Sequence, residues 1–409
     1  MRTSQLAILV AAGAIALPLS GCGTSTVAPS STVVPSSTVT PSSRPTTPIG
    51  KQMAELEGSD TVVGDGIGSS VAISGTTAIV GAYDHAKDAG RAYVFSKTGS
   101  GWHQVAELQG ADTVAGDEFG SSVAISGMTA VVGAGDHADH AGSAYVFTKT
   151  PGGWKQAAEL QGSDTIAGDY FGWSVAISGT TAVVGAYGHA HSAGRAYVFT
   201  KTPGGWKQDA ELQGDDSLAG DQFGSSVAIS GTTAVVGATN RAAASGRAYM
   251  FTKTGSGWKQ AAEVKGSDTV SGNHFGWSVA ISGATAIVGA FLQANSAGRA
   301  YVFTGTSSGW KQDAELAGSD TAAGDGFGIS VAMTGTAIIV GATGHAASAG
   351  RAYVFKGTPS GWKQAAELVG SDTAAGDEFG FSVGISGTTA VVGAPVHAGH
   401  AGRAYLLEA

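Results

Sequence analysis

The side chains able to do chemistry recur in this chain at fixed spacing. An aspartate stands at 60, 112, 164, 216, 268, 320 and 372, and five residues on comes a second acid, at 65, 117, 169, 221, 325 and 377, with Asn273 in the remaining place. Twenty residues further lies a histidine, at 85, 137, 189, 345 and 397, replaced by Arg241 and Gln293 in two places. Carboxylates beside imidazoles suit a cation, a sugar hydroxyl or a partner's basic group. The competing reading is local. Asp accepts backbone N–H bonds in turns, Asn does so equally well, and Asn273 fits that role. Turn capping is the reading adopted for the acids, represented by Asp112, Asp117, Asp164, Asp169, Asp216 and Asp221; for the histidines both readings stay open.

A second set pairs Arg at 91, 195, 247, 299, 351 and 403 with Glu at 55, 107, 159, 211, 263, 315 and 367. A cross-strand ion pair worth about 0.2–1 kcal/mol is the expected use, and a sugar site of Arg, Glu and an aromatic is the alternative. Two positions vary from copy to copy. One reads Gly66, Glu118, Tyr170, Gln222, His274, Gly326, Glu378, and the other Tyr83, Gly135, Tyr187, Thr239, Phe291, Thr343, Pro395. Exposed aromatics there, chiefly Tyr170, Tyr187 and Phe291 with His274, mark the expected binding patch. With Tyr83, Glu118, His137, His189, His345 and His397 they form the candidate binding rim. Catalytic signatures are missing: there is no G-x-S-x-G elbow, no H-E-x-x-H and no cysteine nucleophile, so an enzyme is not expected.

The elements that position these residues repeat every 52 residues, as Phe119, Phe171, Phe223, Phe275, Phe327 and Phe379 do, with Ile67 in the first copy. Within one copy four strands are predicted: "FGSSVAIS" (119–126), "TAVVGA" (129–134), "SAYVFTKT" (143–150) and "WKQAAELQ" (154–161). Each is short, rich in Val, Ile, Tyr, Phe or Thr, and bounded by Gly, Ser or Pro turn signals. In the first strand alternation places Phe119, Ser121, Val123 and Ile125 on one face and small residues on the other, so a bulky face can press on a neighbour's flat one. Trp173 and Trp277, at the place of Ser121, are assigned to that inter-sheet core.

The last copy stops after its third strand (402–409) and the repeat region opens with an orphan fourth strand (51–58). Pairing the two completes a seventh sheet and closes a ring, so the predicted fold is all-β, a seven-bladed β-propeller of four-stranded antiparallel blades. Gly50 replaces the Trp of the other copies, which predicts slight underpacking at the closure. The links into each copy and the loops after each second strand share one rim, called upper here, and carry the acids, histidines and variable positions. The composition agrees: 65 Gly and 13% charged residues suit short strands and tight turns. A net charge of -9 excludes a nucleic-acid binder, for which no basic face is available.

Residues 1–21 read as an export signal, with Arg2 followed by an apolar run from Leu6 to Leu19 that is too short to span a membrane. Leu19-Ser20-Gly21-Cys22 resembles the lipobox of bacterial lipoproteins, which implies cleavage before Cys22 and its acylation. Cys22 is the only cysteine, so intramolecular disulfides are impossible. Residues 22–50, rich in Ser, Thr and Pro, form a lipid-anchored tether, and 51–409 the propeller.

The string "FGSSVAIS…TAVVGA…AYVF", with a true "GAP" at Gly393-Ala394-Pro395, resembles the FG-GAP repeat of bacterial surface proteins and integrin α chains. The resemblance implies a seven-bladed propeller and an adhesive or protein-binding role. Many such repeats hold calcium between the first and second strands in a run of the type D-x-D-x-D-G-x-x-x-D; here that turn is "SGTT", "SGMT" or, in the sixth copy, Thr334-Gly335-Thr336, without a carboxylate, so neither calcium nor another cofactor is expected. The function expected is a monomeric, extracytoplasmic, lipid-anchored protein that binds an extracellular protein, or alternatively a glycan as a multivalent lectin; an extracytoplasmic enzyme ranks last.

Overall fold

The computed structural model describes residues 50–409. The signal (1–21), Cys22 and the tether up to residue 49 lie outside the described residues. Among those described, no helix is long and apolar enough to cross a membrane.

The protein is a seven-bladed β-propeller of four-stranded antiparallel sheets. The first strands of adjacent blades touch one another all round the axis, including the last against the first, so they are innermost. In the second blade the strands are Ser122–Ser126, Thr129–Ala134, Ser143–Thr150 and Gly153–Leu160. The middle two match the expected bounds. The first is shorter than expected because the ladder slips after the Phe: in the third blade Phe171 pairs with Ala186 but Ser174 with Gly185. The irregularity takes Phe171 and its equivalents out of the simple alternation and into the space between blades.

Packing lies between the sheets, in seven apolar clusters. At the second blade, Ile79, Ala92, Val94 and Leu108 of the preceding sheet meet Phe119, Val123, Ile125, Val132, Tyr145 and Phe147. Phe119 is fully buried, its ring 5.5 Å from that of Tyr145 and 6.0 Å from that of Phe147. Burial of one such side chain contributes about 1.5–3 kcal/mol, and no blade buries its faces alone. Gly90 lets the chains approach at this junction: its φ is +79°, and a Cβ there would collide with the Phe119 carbonyl oxygen.

The ring closes as expected. Strand Gln52–Leu56 pairs antiparallel with Arg403–Glu408, Leu56 opposite Ala404 and Glu55 opposite Tyr405, and completes the seventh blade. Its Leu56 joins Val391, Ala404 and Leu406 against Ile67, Val71 and Tyr93 of the first blade. Underpacking at Gly50 is not observed. A Cβ there would overlap the Leu368 side chain and approach the Glu408 carbonyl oxygen to 2.6 Å, so the missing Trp is compensated by tighter chain approach.

The loops after the second strands clasp the next blade. Each contains a four-residue helical turn, His85–Asp88 in the first blade, whose inner residues are left-handed: Ala86, Lys87 and Asp88 have φ of 54°, 63° and 63°. Each such residue costs about 1–2 kcal/mol relative to the right-handed form. The turn exposes carbonyls that receive the incoming link: Glu118 N–H donates to Asp88 O at 2.7 Å and Phe119 N–H to Ala89 O at 3.2 Å. At the closure, Gly66 N–H donates to His400 O at 2.7 Å.

Candidate functional site

The acids and histidines of the upper rim form one interlocked unit per blade. In the third blade Asp169, almost fully buried, accepts the Ile166 N–H at 2.9 Å and contacts His189 Nδ1 at 2.8 Å through the same Oδ2. His189 Nε2 lies 3.6 Å from Asp164 Oδ2, while Asp164 Oδ1 accepts the Tyr197 hydroxyl at 2.7 Å. Burial, and then the bond to Asp164, push the Tyr197 phenol well above its usual range. The same set recurs around His85, His137, His345 and His397, whose Nδ1 atoms lie 2.8–2.9 Å from Asp65, Asp117, Asp325 and Asp377. The turn-capping role expected of both acids is carried out by the second. The first, such as Asp112, instead accepts the phenol of a fully buried third-strand tyrosine, here Tyr145 at 2.8 Å. Sequence reasoning missed these tyrosines, although Tyr93, Tyr145, Tyr197, Tyr249, Tyr301, Tyr353 and Tyr405 each follow the first Asp by 33 residues.

Two blades carry exchanges that preserve the unit. In the fourth, Arg241 replaces His and contacts both Asp216 and Asp221, the latter at 3.5 Å. In the fifth both partners become neutral: Asn273 Oδ1 keeps the turn bond from Val270 N–H at 2.8 Å, and Gln293 Nε2 donates to Asp268 Oδ2 at 2.7 Å. The buried carboxylate stands beside a basic group in six blades; where Asn273 replaces it the neighbour is the neutral Gln293, whose Oε1 is buried without a hydrogen-bond partner among the described residues. These five histidines are therefore fixed through Nδ1 by the second Asp, with Nε2 3.5–3.8 Å from the first.

The variable positions behave differently. The residue before the Phe, the residue two after it, and the residue following the second strand come together in space. In the third blade Tyr170 and Tyr187 stack with centroids 4.9 Å apart, and Trp173 packs edge-on at 6.2 Å and 4.7 Å from them. His140 stacks on Tyr170 at 5.1 Å, and Trp173 lies against Gly135 of the second blade. In the fifth blade Trp277 sits 4.7 Å from Phe291 and 6.4 Å from His274. Trp173 and Trp277, assigned from sequence to the inter-sheet core, are half-buried members of these rim groups. Phe291, expected to be exposed, is buried under them. Burial lowers the His274 imidazole below its usual value.

Toward the first and second blades the same positions turn acidic. Burial first, then Asp136 and Asp84, push the Glu118 carboxyl up to about 8; burial first, then Asp88, raises Asp84 to about 6. Burial first, then Asp84 and Glu118, raise the Tyr83 phenol, and Glu378 of the seventh blade adds to the shift. Every non-glycine at the position of Glu118, namely Glu118, Tyr170, Gln222, His274 and Glu378, has φ between 53° and 58°, a conformation that favours glycine, and Gly66 and Gly326 fill the remaining two. Just outside, Val62, Val114, Ile166, Leu218 and Val270 each leave over half of their surface exposed at equivalent places in the links. Phe381 is also exposed.

The Arg–Glu expectation holds in part. Arg91, Arg247 and Arg299 pair with Glu107, Glu263 and Glu315 at 2.7–3.0 Å, and Arg403 Nη1 bridges Glu55 and Asp372 at 2.8 Å and 2.7 Å. Arg195 turns instead to Gln213 and Arg351 to the Gly350 carbonyl. The first-to-second-strand turns are two-residue hairpins, such as Gly127-Met128 between Ser126 and Thr129. The letters G-x-S-x-G do occur twice, at Gly305-Thr306-Ser307-Ser308-Gly309, in a hairpin between strands Arg299–Thr306 and Gly309–Leu316, and at Gly380-Phe381-Ser382-Val383-Gly384, running into strand Ser382–Ser386, and neither lies at a strand-to-helix elbow.

Comparison with known proteins follows this geometry. A family model described as FG-GAP repeat matches residues 51–95, 102–147, 154–199, 206–251, 258–303, 310–355 and 362–407. A search of curated proteins finds no match. Among solved structures, Sqt1 from Chaetomium thermophilum aligns with a TM-score of 0.51 at 17% identity over 84% of each chain. Sqt1 from Saccharomyces cerevisiae aligns with a TM-score of 0.49 at 12% identity, covering 88% of this chain and 99% of that one. At such identity the first likeness bears on the fold alone.

Proposed function

The chain belongs to the FG-GAP repeat family, and from that premise we propose that it is a non-catalytic protein-binding module whose upper rim engages another protein. The observation that carries this reading is the convergence of the three variable positions. A uniform frame repeated seven times holds a different triplet in each blade: Tyr170, Trp173 and Tyr187 in the third, His274, Trp277 and Phe291 in the fifth, Glu118, Ser121 and Gly135 in the second. Such a surface offers aromatic anchors beside acids, the composition of binding hot spots, whereas seven equal sites would fit a repetitive ligand. The exposed apolar side chains in the links extend it outward.

The protein works outside the cytoplasm of a bacterium, held by acylated Cys22 after loss of residues 1–21, with 22–50 as tether and the propeller as a monomer. An acyl chain contributes about 0.8 kcal/mol per buried methylene, so multiple acylation holds such a protein at a membrane. The lectin reading draws support from the aromatic group of the third blade beside Asp136 and Glu118, not from the Arg–Glu pairs, most of which are spent on each other. Affinity capture with the purified protein separates the two readings. A protein partner lost on Tyr187→Ala and Trp173→Ala and retained in free sugars supports the first; elution by a sugar supports the second.

A further inference from the structure

Only in the second blade does the third strand begin with Ser143 where the other six copies have Arg. Ser143 is fully buried and donates to Glu159 Oε1 at 3.0 Å. Beside it, ligand atoms of Asp112, His137 and Glu159 lie within 4.8 Å of one another, the one such group among the described residues. His137 Nε2 stands 3.8 Å from Asp112 Oδ2.

We propose that this cluster is a binding site for one divalent transition-metal cation, of which zinc is the type, unique to the second blade. Three observations converge on it. First, the imidazole is oriented from behind: Asp117 Oδ2 lies 2.8 Å from His137 Nδ1, so a neutral ring donates Nδ1–H to the carboxylate and presents the Nε2 lone pair to the cluster. Carboxylate–histidine support of this kind is the usual second shell of a zinc ligand. Secondly, the equivalent place in the seventh blade is filled by a cation of the protein itself. Arg403 Nη1 lies between Glu55 and Asp372, the counterparts of Glu159 and Asp112, at 2.8 Å and 2.7 Å. Replacing Arg by Ser removes that charge and leaves two carboxylates facing each other. Thirdly, the dimensions fit. Three atoms no more than 4.8 Å apart share a centre at most about 2.8 Å from each, which side-chain rotation of under about 1 Å closes to the 2.0–2.2 Å of zinc bonds.

An imidazole with two carboxylates favours zinc or manganese over calcium, which prefers six or more oxygens. Asp112 and Glu159 are exposed, so an ion can enter from solvent and keep at least one position for water or an exogenous ligand. The ion ties the incoming link, the second-strand loop and the end of the outer strand into one clamp. It is distinct from the turn between first and second strands, which carries no carboxylate.

The test is calorimetric titration of the purified, chelator-stripped protein with zinc chloride, with calcium chloride as comparison and bound metal counted after desalting. One zinc equivalent per chain is expected, about tenfold or more weakened by Asp112→Asn and by Glu159→Gln. Ser143→Arg restores the residue of six other blades and should fold normally while abolishing the site. Arg403→Ser should create a second equivalent at Asp372, His397 and Glu55. Absence of zinc binding up to about 0.1 mM, where affinity corresponds to only about 5.5 kcal/mol, overturns the proposal. So does zinc binding that Ser143→Arg and Glu159→Gln leave unchanged, which places the metal on other histidines.

Discussion

Asp169 tests whether the acids and histidines of the rim act as an interlocked unit. In Asp169→Asn the amide oxygen, set where Oδ2 lies, keeps the turn bond to the Ile166 N–H, as Asn273 does for Val270, and the contact with His189 Nδ1, but both then meet a neutral acceptor. The loss is the charge of one acceptor shared by two hydrogen bonds, about 1–2 kcal/mol. His189→Gln alone leaves an amide oxygen against the Asp169 carboxylate and costs a similar amount. Combined, the two recreate the residues Asn273 and Gln293 of the fifth blade, where no carboxylate faces the amide oxygen, and the double variant should return to within about 1 kcal/mol of the parent. With about 2.1 cal/mol/K of unfolding entropy per residue, the 360 residues from 50 to 409 give about 0.75 kcal/mol/K, so 2 kcal/mol lowers Tm by about 2.5 °C. Differential scanning calorimetry of the four proteins at one pH resolves this. A double variant whose loss equals the sum of the single losses would refute the interlocking.

Glu118 makes stability fall as pH rises. Its carboxyl is raised to about 8 in the folded protein by burial and by Asp136, so the stabilising protonated form is complete below the ordinary Glu range and is lost as pH climbs toward 8. Glu118→Gln should therefore raise Tm at pH 8 and flatten its slope between pH 5 and 8; an unchanged slope counts against the buried acid. Leu56→Ala should cost about 2–5 kcal/mol, as much as Leu160→Ala at the equivalent place in the second blade, because the closing strand buries Leu56 as fully as any other. A Tm matching the parent would mean the ring is not held by that strand.

Much of the fold was legible in the residues because repetition removes ambiguity. Phe119 and its copies set the period, and the complementary ends, 51–58 and 402–409, required closure. What sequence could not supply was the bulge after Phe171, which breaks the alternation that had placed Trp173 in the core. Nor could it supply the left-handed turn Ala86–Asp88, since neither Ala nor Lys favours positive φ and bonds to the next blade add to the turn's own in holding it there. The site was half legible. Variation drew attention to Tyr170, Tyr187, Phe291 and His274, but that these group with Trp173 and Trp277, and that Phe291 lies beneath, depends on contacts over 14 residues of separation. The first aspartate departs from the turn-capping role because a buried tyrosine 33 residues away, invisible to local turn rules, takes it.

The most direct measurement of rim function is capture of envelope proteins by the purified protein, compared with Tyr170→Ala, Trp173→Ala and Tyr187→Ala and with Met128→Asp at a turn on the opposite side. A single protein partner is expected on the parent and on the Met128 variant, retained in free sugars and lost from the three aromatic variants while their Tm holds. A partner that binds the aromatic variants as it binds the parent would contradict the rim as the binding surface.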